Sequence, residues 1–392
     1  MIKSYNLFCE SLKKDMWSII PQSVKELHKI FNKSGKKLYV VGGAVRDFLN
    51  KEKPKDFDLA TDALPDEVVR ILQSNNYDFN IQGKAFGVIV VFADDEPDGM
   101  EIATFREDIS KGRNPEVKLG VGIEDDVKRR DLSYNALFYD LEKREIVDLV
   151  GGVSDLENKI TRMVGDPLER IDEDSLRILR AFRFASRYET PLSEDLVEAI
   201  KKRNQLQNVD PETGQMKRIS QERIWEEIKK SYKQAKSFKH YLEFFNEFDM
   251  WQEVFPGSKI NIQIVECDEI TSYIANLFKL EDTQKLETKL VQSYRIEQDI
   301  ASKVVFLIEL LKLKEETAFE LFKKKLRCAV TNSQIIDWLD TQNIHSQIFI
   351  QFIDYRPTVS AEELMSKGFK GPQLGEEIKR RETENFKNLL KK

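Results

Sequence analysis

A glycine pair and an aspartate pair between residues 39 and 61 have the types and the spacing to do chemistry. Gly42 and Gly43 directly follow the apolar run 38–41, which predicts a buried strand that ends in a sharp turn. Because glycine has no side chain, a ligand can approach this backbone closely. Residues 44–49 have the pattern of a first helical turn, whose N–H groups would point at the bend, and Arg46 adds positive charge there. The glycine pair therefore predicts an anion site.

The aspartate pair follows after a turn rich in lysine and proline. In a strand, Asp56 and Asp58 would share one face while Phe57 would point to the other. Carboxylates held this close repel each other unless a cation lies between them, and their oxygens suit Mg²⁺. Taken alone, a Gly-Gly pair is usually a plain turn and an Asp-x-Asp a solvated strand edge. Together, in the order strand, turn, helix, strand, they predict a phosphoryl-transfer centre that handles a nucleoside triphosphate.

The run GGAVRDFL…DFDLAT resembles the signature of the class II tRNA nucleotidyltransferases, or CCA-adding enzymes, and the bacterial poly(A) polymerases. These enzymes belong to the wider DNA-polymerase-beta-like nucleotidyltransferases. In that family the Gly-Gly turn holds the triphosphate and the two aspartates bind the catalytic metals. The resemblance implies these roles for the matching positions, which are Gly42, Gly43, Arg46, Asp47, Asp56 and Asp58.

A third carboxylate lies further along the chain. Residues 86–93 are apolar and β-branched, 94–99 are rich in turn formers, and 100–105 alternate, which predicts a hairpin. Glu101 on the second strand could face the same way as the two aspartates, and it is our candidate for a third metal carboxylate. An exposed strand glutamate without a ligand is the alternative.

The segment 106–122 is polar and contains glycine and proline, so it predicts a mobile surface loop. The family has a flexible loop at this place that is tied to addition of the final A, and its poly(A) polymerases carry a longer insertion. The resemblance implies the same part for this segment. A plain linker is the alternative.

Residues 124–140 resemble the second signature of the family, Arg-Arg-Asp-(Phe/Leu)-(Thr/Ser)-x-Asn-Ala. Arg129 and Arg130 could neutralise phosphates, while Asp131 and Asn135 could hydrogen-bond a ribose hydroxyl. A helix end with local salt bridges is the alternative.

Residues 172–187 predict an amphipathic helix with arginines at spacings of three and four. Glu173-Asp174-x-x-Arg177 resembles the Glu-Asp-x-x-Arg motif of the family, an amino-acid template for the incoming base. A carboxylate accepts from the exocyclic amino group of C or A, and a guanidinium donates to the adjacent ring nitrogen. We expect Asp174 and Arg177 to read the base, Glu173 to support them and Arg180 to contact the nucleotide. A surface salt bridge is the alternative.

Two later stretches also resemble family motifs. Residues 219–230 predict a capped amphipathic helix, in which Glu222 and Arg223 would brace the template helix. Residues 367–375 open a basic helix, and glycines at a helix start allow close approach of phosphate. We expect contact with the tRNA elbow from Lys370, Lys379 and Arg380.

Bulk properties are those of a folded protein in water. The length of 392 residues indicates about two to four domains. The net charge of −6, with 33% charged residues, is typical of a folded globular chain rather than a disordered one. The acidity argues weakly against a nucleic-acid partner but allows a basic stripe. Cys9, Cys267 and Cys328 fit no zinc spacing and indicate a reducing compartment. We see no signal peptide and no apolar run long enough for a membrane, and so expect a cytoplasmic protein with no membrane partner.

The sequence predicts an α+β chain. An N-terminal nucleotidyltransferase head with a small mixed β-sheet would cover 1–150. An all-α neck with the template motif would cover 151–235, a helical body 236–320 and a tRNA-binding tail 321–392.

The expected reaction is template-independent addition of C, C and A to the tRNA 3′ end, from CTP and ATP with two Mg²⁺ ions. A CC-adding or A-adding enzyme and a poly(A) polymerase stay open as alternatives. So does a non-catalytic RNA-binding protein, although the intact aspartates speak against it. We expect a monomer or a weak dimer.

Overall fold

The computed structural model describes residues 16–109, 116–210 and 213–391. The chain forms two compact units, Met1–Ile219 and Ser220–Lys392. The finer division into head, neck, body and tail stays a prediction.

The first unit is built on a seven-stranded mixed sheet in the order β3-β4-β5-β2-β1-β8-β9. Two small two-stranded sheets, β6-β7 and β10-β11, accompany it. The strands are β1 Leu38–Val41, β2 Leu59–Thr61, β3 Phe79–Asn80, β4 Val88–Ala93, β5 Glu96–Thr104, β6 Arg106–Asp108, β7 Val117–Leu119, β8 Phe138–Asp140, β9 Glu145–Val147, β10 Gln207–Val209 and β11 Met216–Arg218. The α+β class with a small mixed sheet followed by helices is confirmed.

The two central strands carry the first signature. All four residues of β1 are buried between β2 and β8, both antiparallel to it. The end of β1 and the start of β2 therefore lie at the same edge of the sheet. The Val41 amide donates to the Asp58 carbonyl at 2.9 Å there. This pairing brings the glycine turn and the aspartate pair together.

Helices cover the sheet and continue the chain through the first unit. Their apolar faces pack inward, as in Gln22–Lys33, where Val24, Leu27 and Phe31 are buried. The helices are α1 Gln22–Lys33, α2 Gly43–Leu49, α3 Pro65–Ser74, α4 Ile123–Lys128, α5 Gly152–Glu157, α6 Pro167–Glu173, α7 Leu176–Tyr188 and α8 Glu194–Lys202.

The hairpin of β4 and β5 differs from the prediction. β5 begins at Glu96, which pairs with Ala93, so the turn is only two residues long. A register shift between Val91 and Ala93 and the positive φ of Gly99, +88°, let the strand run through residues that were expected to turn. β4 also begins two residues later than predicted, after a short 3₁₀ turn.

The predicted loop 106–122 contains regular structure. Arg106 pairs with Leu119 and Asp108 with Val117 in an antiparallel ladder. Backbone hydrogen bonds need no apolar side chains, so a polar composition does not exclude such a hairpin. Residues 110–115 of the predicted loop lie outside the described residues.

The single helix predicted over 172–187 is two helices. α6 ends at Glu173, and Asp174 has extended backbone angles of φ −151° and ψ 102°. α7 then begins at Leu176. The apolar periodicity continues across the break, so the pattern alone does not reveal it.

The second unit consists of helices and the segments that connect them. Its helices are α9 Gln221–Gln234, α10 Phe238–Glu247, α11 Trp251–Val254, α12 Ile270–Phe278, α13 Thr283–Tyr294, α14 Gln298–Leu310, α15 Ala318–Arg327, α16 Asn332–Thr341, α17 Gln347–Asp354, α18 Ala361–Ser366 and α19 Gly371–Leu390. Trp338 is fully buried and its indole N–H donates to the Leu307 carbonyl at 2.8 Å. Within the described ranges, no helix combines the length and the apolar character needed to cross a bilayer.

A buried carboxylate fastens α19 to the chain before it. Glu382 is 0% exposed. It accepts from the Tyr355 hydroxyl at 2.6 Å and from the Thr358 and Val359 amides at 2.7 and 2.5 Å. The three donors satisfy the charge inside the unit.

We predict that Glu382→Ala destabilises the second unit by about 3 kcal/mol, because it leaves three buried donors without an acceptor. Equilibrium urea unfolding measures the change. Glu384→Ala, an exposed glutamate on the same helix, is the control and should stay within about 0.5 kcal/mol of wild type. Equal effects of the two substitutions would contradict the assignment.

Candidate active site

The glycine turn joins the first signature to the second. Gly42 has φ +62°, a conformation that disfavours other residues, and its amide donates to the Leu137 carbonyl at 2.9 Å. A Cβ at this position would lie 3.5 Å from the Asn135 carbonyl oxygen and 3.7 Å from Arg130 Nη1. The backbone of the turn is therefore within reach of both second-signature residues.

Gly43 brings the aspartates to the same place. A Cβ on Gly43 would lie 3.9 Å from Asp56 Oδ1. Asp56 and Asp58 are exposed, while Phe57 between them is buried, so the predicted alternation is present. β2 itself begins only at Leu59, so Asp56 and Asp58 precede the strand in which they were predicted to lie. The turn and the carboxylates form one continuous surface.

Glu101 stands beside the aspartates. Leu59 pairs with Ile102 in parallel register, so the preceding residues, Asp58 and Glu101, are neighbours across the two strands. Partial desolvation, and then the charges of Asp56 and Glu101, raise the pKa of Asp58 to about 6, against the opposing effect of Arg130. Negative charge thus accumulates at this edge.

Such an accumulation fits a divalent cation. Mg²⁺ is commonly held by one or two carboxylates together with substrate phosphates rather than by an all-protein cage. Asp56 and Asp58 match that chemistry. Among the described residues, no group of three His, Cys, Asp or Glu side chains is arranged to hold a metal ion. Coordination by Glu101 as a third ligand stays a prediction without that geometric support.

Arg46 is buried inside the unit, whereas the sequence predicted that its positive charge would be available to a ligand at the glycine bend. Its side chain is 5% exposed. Nε and Nη2 donate to Asp47 at 3.0 and 2.7 Å, and Nη1 donates to Asn135 Oδ1 at 2.5 Å. The guanidinium carbon is 5.1 Å from the ring centre of Phe184 and 5.6 Å from that of Tyr188. Arg46 braces the two signatures against each other, and its contact with a nucleotide stays a prediction.

The two arginines of the second signature share one carboxylate. Asp126 is 1% exposed and accepts from Arg129 Nε at 2.9 Å and from Arg130 Nη2 at 3.0 Å. The ring centre of Phe138 lies 4.6 Å from the Arg130 guanidinium carbon. These contacts fix both guanidinium groups, and that of Arg130 lies beside the glycine turn.

Asp131 and Asn135 form a second fixed pair. The side-chain amide of Asn135 donates to Asp131 at 3.2 Å, and Arg180 Nε donates to the same carboxylate at 2.9 Å. Burial alone would raise the pKa of Asp131, but the charge and hydrogen bond of Arg180 hold it well below its usual range. Asp131 is therefore ionised, and Arg180 contacts it in this structure. Contacts of these residues with a nucleotide stay predictions.

Asp174 and Arg177, the predicted template residues, each contact a different partner. Glu173 accepts from Arg170 Nη1, and from Arg177 Nη1 at 2.5 Å. Asp174 accepts from the Asn208 side-chain amide at 2.9 Å. The structure thus pairs Arg177 with Glu173, which agrees with a supporting role for that residue. The carboxylate and the guanidinium that would read a base are each fixed by another partner.

Asp174 and Arg177 both line a cavity of about 660 Å³ in the first unit. Arg129 and Lys128 lie on its wall as well, and so does Asp108 from β6. The volume falls in the range of sites for small organic ligands. The cavity therefore brings the predicted base-reading pair together with Arg129, a predicted phosphate-binding residue.

Buried charged groups line this cavity. Arg106 Nε and Asp108 Oδ1 face each other at 3.5 Å as an ion pair, whereas Arg170 Nε is buried without a hydrogen-bond partner among the described residues. All three residues are in the lining. A buried donor left unpaired costs about 1–3 kcal/mol, so a ligand that supplies an acceptor to Arg170 Nε would gain from binding here.

Five of the predicted site residues lie in the second unit. Glu222 pairs with Arg295 at 2.9 Å within the second unit, so bracing of the template by Glu222 and Arg223 stays a prediction. Lys370 and Lys379 are exposed at the start of α19 and along it. Arg380 is exposed but pairs with Glu377 at 2.9 Å. Their contact with RNA stays a prediction.

Three residues of the site were missed by the motif reading. Asp126 precedes its arginines by three and four residues, a helical spacing that could have identified it. Arg170 precedes Glu173 by three residues and could have been found likewise. Asn208 comes from β10, 34 residues after Asp174, and no local pattern predicts that contact.

Comparisons with known proteins decide the family. Residues 38–162 match the family model described as the poly(A) polymerase head domain. The human mitochondrial CCA tRNA nucleotidyltransferase 1 is 32% identical over 305 residues, which are 74% of this chain and 67% of the relative. The chain belongs to the family of CCA-adding enzymes and bacterial poly(A) polymerases. Both signatures recognised in the sequence lie within the matched residues 38–162.

Two further comparisons describe the extent of the likeness. Poly(A) polymerase I of Salmonella typhi is 32% identical over 252 residues, which are 61% of this chain but only 50% of the relative. The crystal structure of the Bacillus stearothermophilus CCA-adding enzyme in complex with CTP superimposes with a TM-score of 0.68 at 20% identity. It covers 94% of this chain and 93% of its own. At that identity the superposition shows that the fold is shared.

We predict that Asp58→Asn stabilises the protein in a chelating buffer at pH 7.5. The carboxylate is ionised there although its folded surroundings raise its pKa, so removing its charge relieves repulsion. The melting temperature should rise by roughly 2–4 °C, and added Mg²⁺ should stabilise wild type but not the variant.

Asp66→Asn is the matched control, because the Asp66 carboxylate is exposed and pairs favourably with Lys84 at 2.6 Å. It should not raise the melting temperature. A lower melting temperature of Asp58→Asn than of wild type in the chelating buffer would contradict the assigned repulsion.

Proposed function

We propose that this protein completes the 3′ end of tRNA by adding C, C and A from CTP and ATP without a nucleic-acid template. Family membership supports the reaction class, and the names of the relatives support the substrates. The observation that carries the proposal is the meeting of the glycine turn with the aspartate pair, where a Cβ on Gly43 would lie 3.9 Å from Asp56. A triphosphate seated on that turn would have its reacting phosphate beside both carboxylates.

The chain supplies the phosphate side of the reaction through fixed charges. Asp56 and Asp58 would hold two Mg²⁺ ions, which when bound lower the pKa of the 3′ hydroxyl and stabilise charge on the transferring phosphoryl group. Asp126 fixes the guanidinium groups of Arg129 and Arg130, and these two cations would neutralise phosphate oxygens. Their charges do not have to reorganise during the reaction, which lowers its barrier. Pyrophosphate is the leaving group.

The base side would be read by Asp174 and Arg177. A carboxylate accepts from the amino group of C or A, and a guanidinium donates to the adjacent ring nitrogen. G and U present a carbonyl and an N–H in the reverse order, so each would leave buried groups unpaired at about 1–3 kcal/mol per group. The cavity lined by both residues is large enough for a base. One pair can thus accept two bases and reject two.

Several finer questions stay open as predictions. A CC-adding enzyme, an A-adding enzyme and a poly(A) polymerase would share the site. The loop tied to the final A would be the segment around the β6–β7 hairpin. Contacts of the tail with the tRNA elbow, a monomeric or weakly dimeric state and a cytoplasmic location belong to the same proposal.

One experiment separates the alternatives. The purified protein is incubated with tRNA lacking its 3′ end, and separately with tRNA that ends in CC, in each case with CTP alone, with ATP alone and with both. An A-adding enzyme would extend only the tRNA that ends in CC, and a CC-adding enzyme would stop at CC with both nucleotides. We expect CC with CTP alone and CCA with both nucleotides. A long A tract with ATP alone would identify a poly(A) polymerase, and no addition under any condition would overturn the enzymatic proposal.

Asp58→Ala tests the reacting centre in the same assay. It should abolish addition of both C and A while tRNA binding stays within about twofold of wild type, because Mg²⁺ binding and not RNA binding is lost. Asp94→Ala, an exposed aspartate at the tip of the β4–β5 turn, should retain activity. Turnover of Asp58→Ala near that of wild type would contradict the metal assignment.

Asp174→Ala and Arg177→Ala test the reading of the base. We expect each to reduce the preference for CTP and ATP over UTP and GTP by about tenfold or more, from a change of roughly 1–3 kcal/mol in relative binding. Values of kcat/KM for the four nucleotides measure it. Lower thermal stability with unchanged ratios would mean that the two residues are structural and that the base is read elsewhere.

A further inference from the structure

Arg170 is a buried cation to which the proposed function assigns no role. Its side chain is on α6 and is 7% exposed. Nη2 donates to the backbone carbonyl of Arg129 at 2.6 Å and to that of Arg130 at 2.9 Å. These carbonyls follow directly after α4, at a helix end where carbonyls lack intrahelical partners. Arg170 therefore fixes the backbone from which both phosphate-side arginines extend.

The same residue also holds the base side. Its Nη1 donates to Glu173, and the same Glu173 oxygen accepts from Arg177 Nη1 at 2.5 Å. The Arg170 carbonyl accepts from that Arg177 nitrogen at 2.8 Å. Arg177 is thus oriented twice through Arg170, once by its side-chain partner and once by its backbone.

We propose that Arg170 is a positioning residue that keeps the phosphate-binding arginines and the base-reading Arg177 in one arrangement. The proposal rests on the proposed function, since it assigns those two groups to one nucleotide. The base and the phosphates of one nucleotide are joined through its ribose, so the groups that bind them must lie within the reach of one molecule. A shift of α6 relative to the end of α4 would therefore weaken the simultaneous binding of both ends.

The chemistry explains why the residue is an arginine. The guanidinium is planar and presents five donors, so it can bond two carbonyls and a carboxylate at once. A lysine ammonium at this depth keeps the charge but is a point donor on a flexible stem. Arg170→Lys should therefore retain the folded unit while loosening the link between the two sides.

The test compares Arg170→Lys with wild type, using kcat/KM for CTP, ATP, UTP and GTP on tRNA lacking its 3′ end. We expect the preference for CTP and ATP to fall by roughly tenfold, because Glu173, the side-chain partner of Arg177, loses the guanidinium that fixes it. Arg203→Lys is the matched control: this arginine pairs with Asp172 at 2.9 Å near the same helix. It should leave the ratios unchanged.

A double-mutant cycle tests whether Arg170 positions Arg177 or only caps the carbonyl end of α4. If Arg170 acts through Arg177, Arg170→Lys should change selectivity by less than about twofold in an Arg177→Ala background. Reduced thermal stability with wild-type selectivity, or an equal loss of selectivity in both backgrounds, overturns the proposal. If Arg170→Lys loses its cooperative unfolding transition, Arg170→Gln carries the same comparison without a buried charge. A wild-type protein that adds no nucleotide overturns the proposed function, and this inference with it.

Discussion

The antiparallel pairing of β1 with β2 is the constraint on which the site depends. Two motifs separated by a helix and a turn meet only because the end of one strand lies beside the start of the other, with the Val41 amide on the Asp58 carbonyl. The same pairing buries β1 completely. The edge can then carry glycines and exposed carboxylates without cost to the core, since the apolar residues of both strands point elsewhere. Stability and chemistry are thereby assigned to different residues of the same strands.

The arginines of the site have carboxylate partners, whereas the carboxylates at the sheet edge do not have arginine partners of this kind among the described residues. The arginines are matched by carboxylates of the chain: Arg129 and Arg130 by Asp126, and Arg177 by Glu173. Buried or half-buried cations need such partners, and the partners also fix their direction. At Asp58, by contrast, desolvation and then the charges of Asp56 and Glu101 raise the pKa of the carboxyl. The unmatched charge therefore lies at the sheet edge, where a dissolved cation can reach it.

Much of the fold and the site follows from local patterns. The strand, the glycine turn and the alternation around Phe57 are short-range features, and the sequence predicts them correctly. The break at Asp174 is not predictable in this way, because apolar residues keep their helical spacing across it. The partner of Asp174 is Asn208 from a distant hairpin, and the inward direction of Arg46 depends on Asn135 and on aromatic rings of α7. Such contacts depend on tertiary packing, which no window of sequence contains.

The parallel pairing of β2 with β5 has a consequence for how the chain folds. Among the described strands it is the one parallel pair, and its register joins Leu59 to Ile102. Hairpins such as β4–β5 close short loops and can form early, whereas this pairing must close a loop of several secondary-structure elements. Asp58 and Glu101 become neighbours only in that step. The repulsion between them is therefore expected to enter late, when most apolar surface is already buried, and to speed unfolding more than it slows folding.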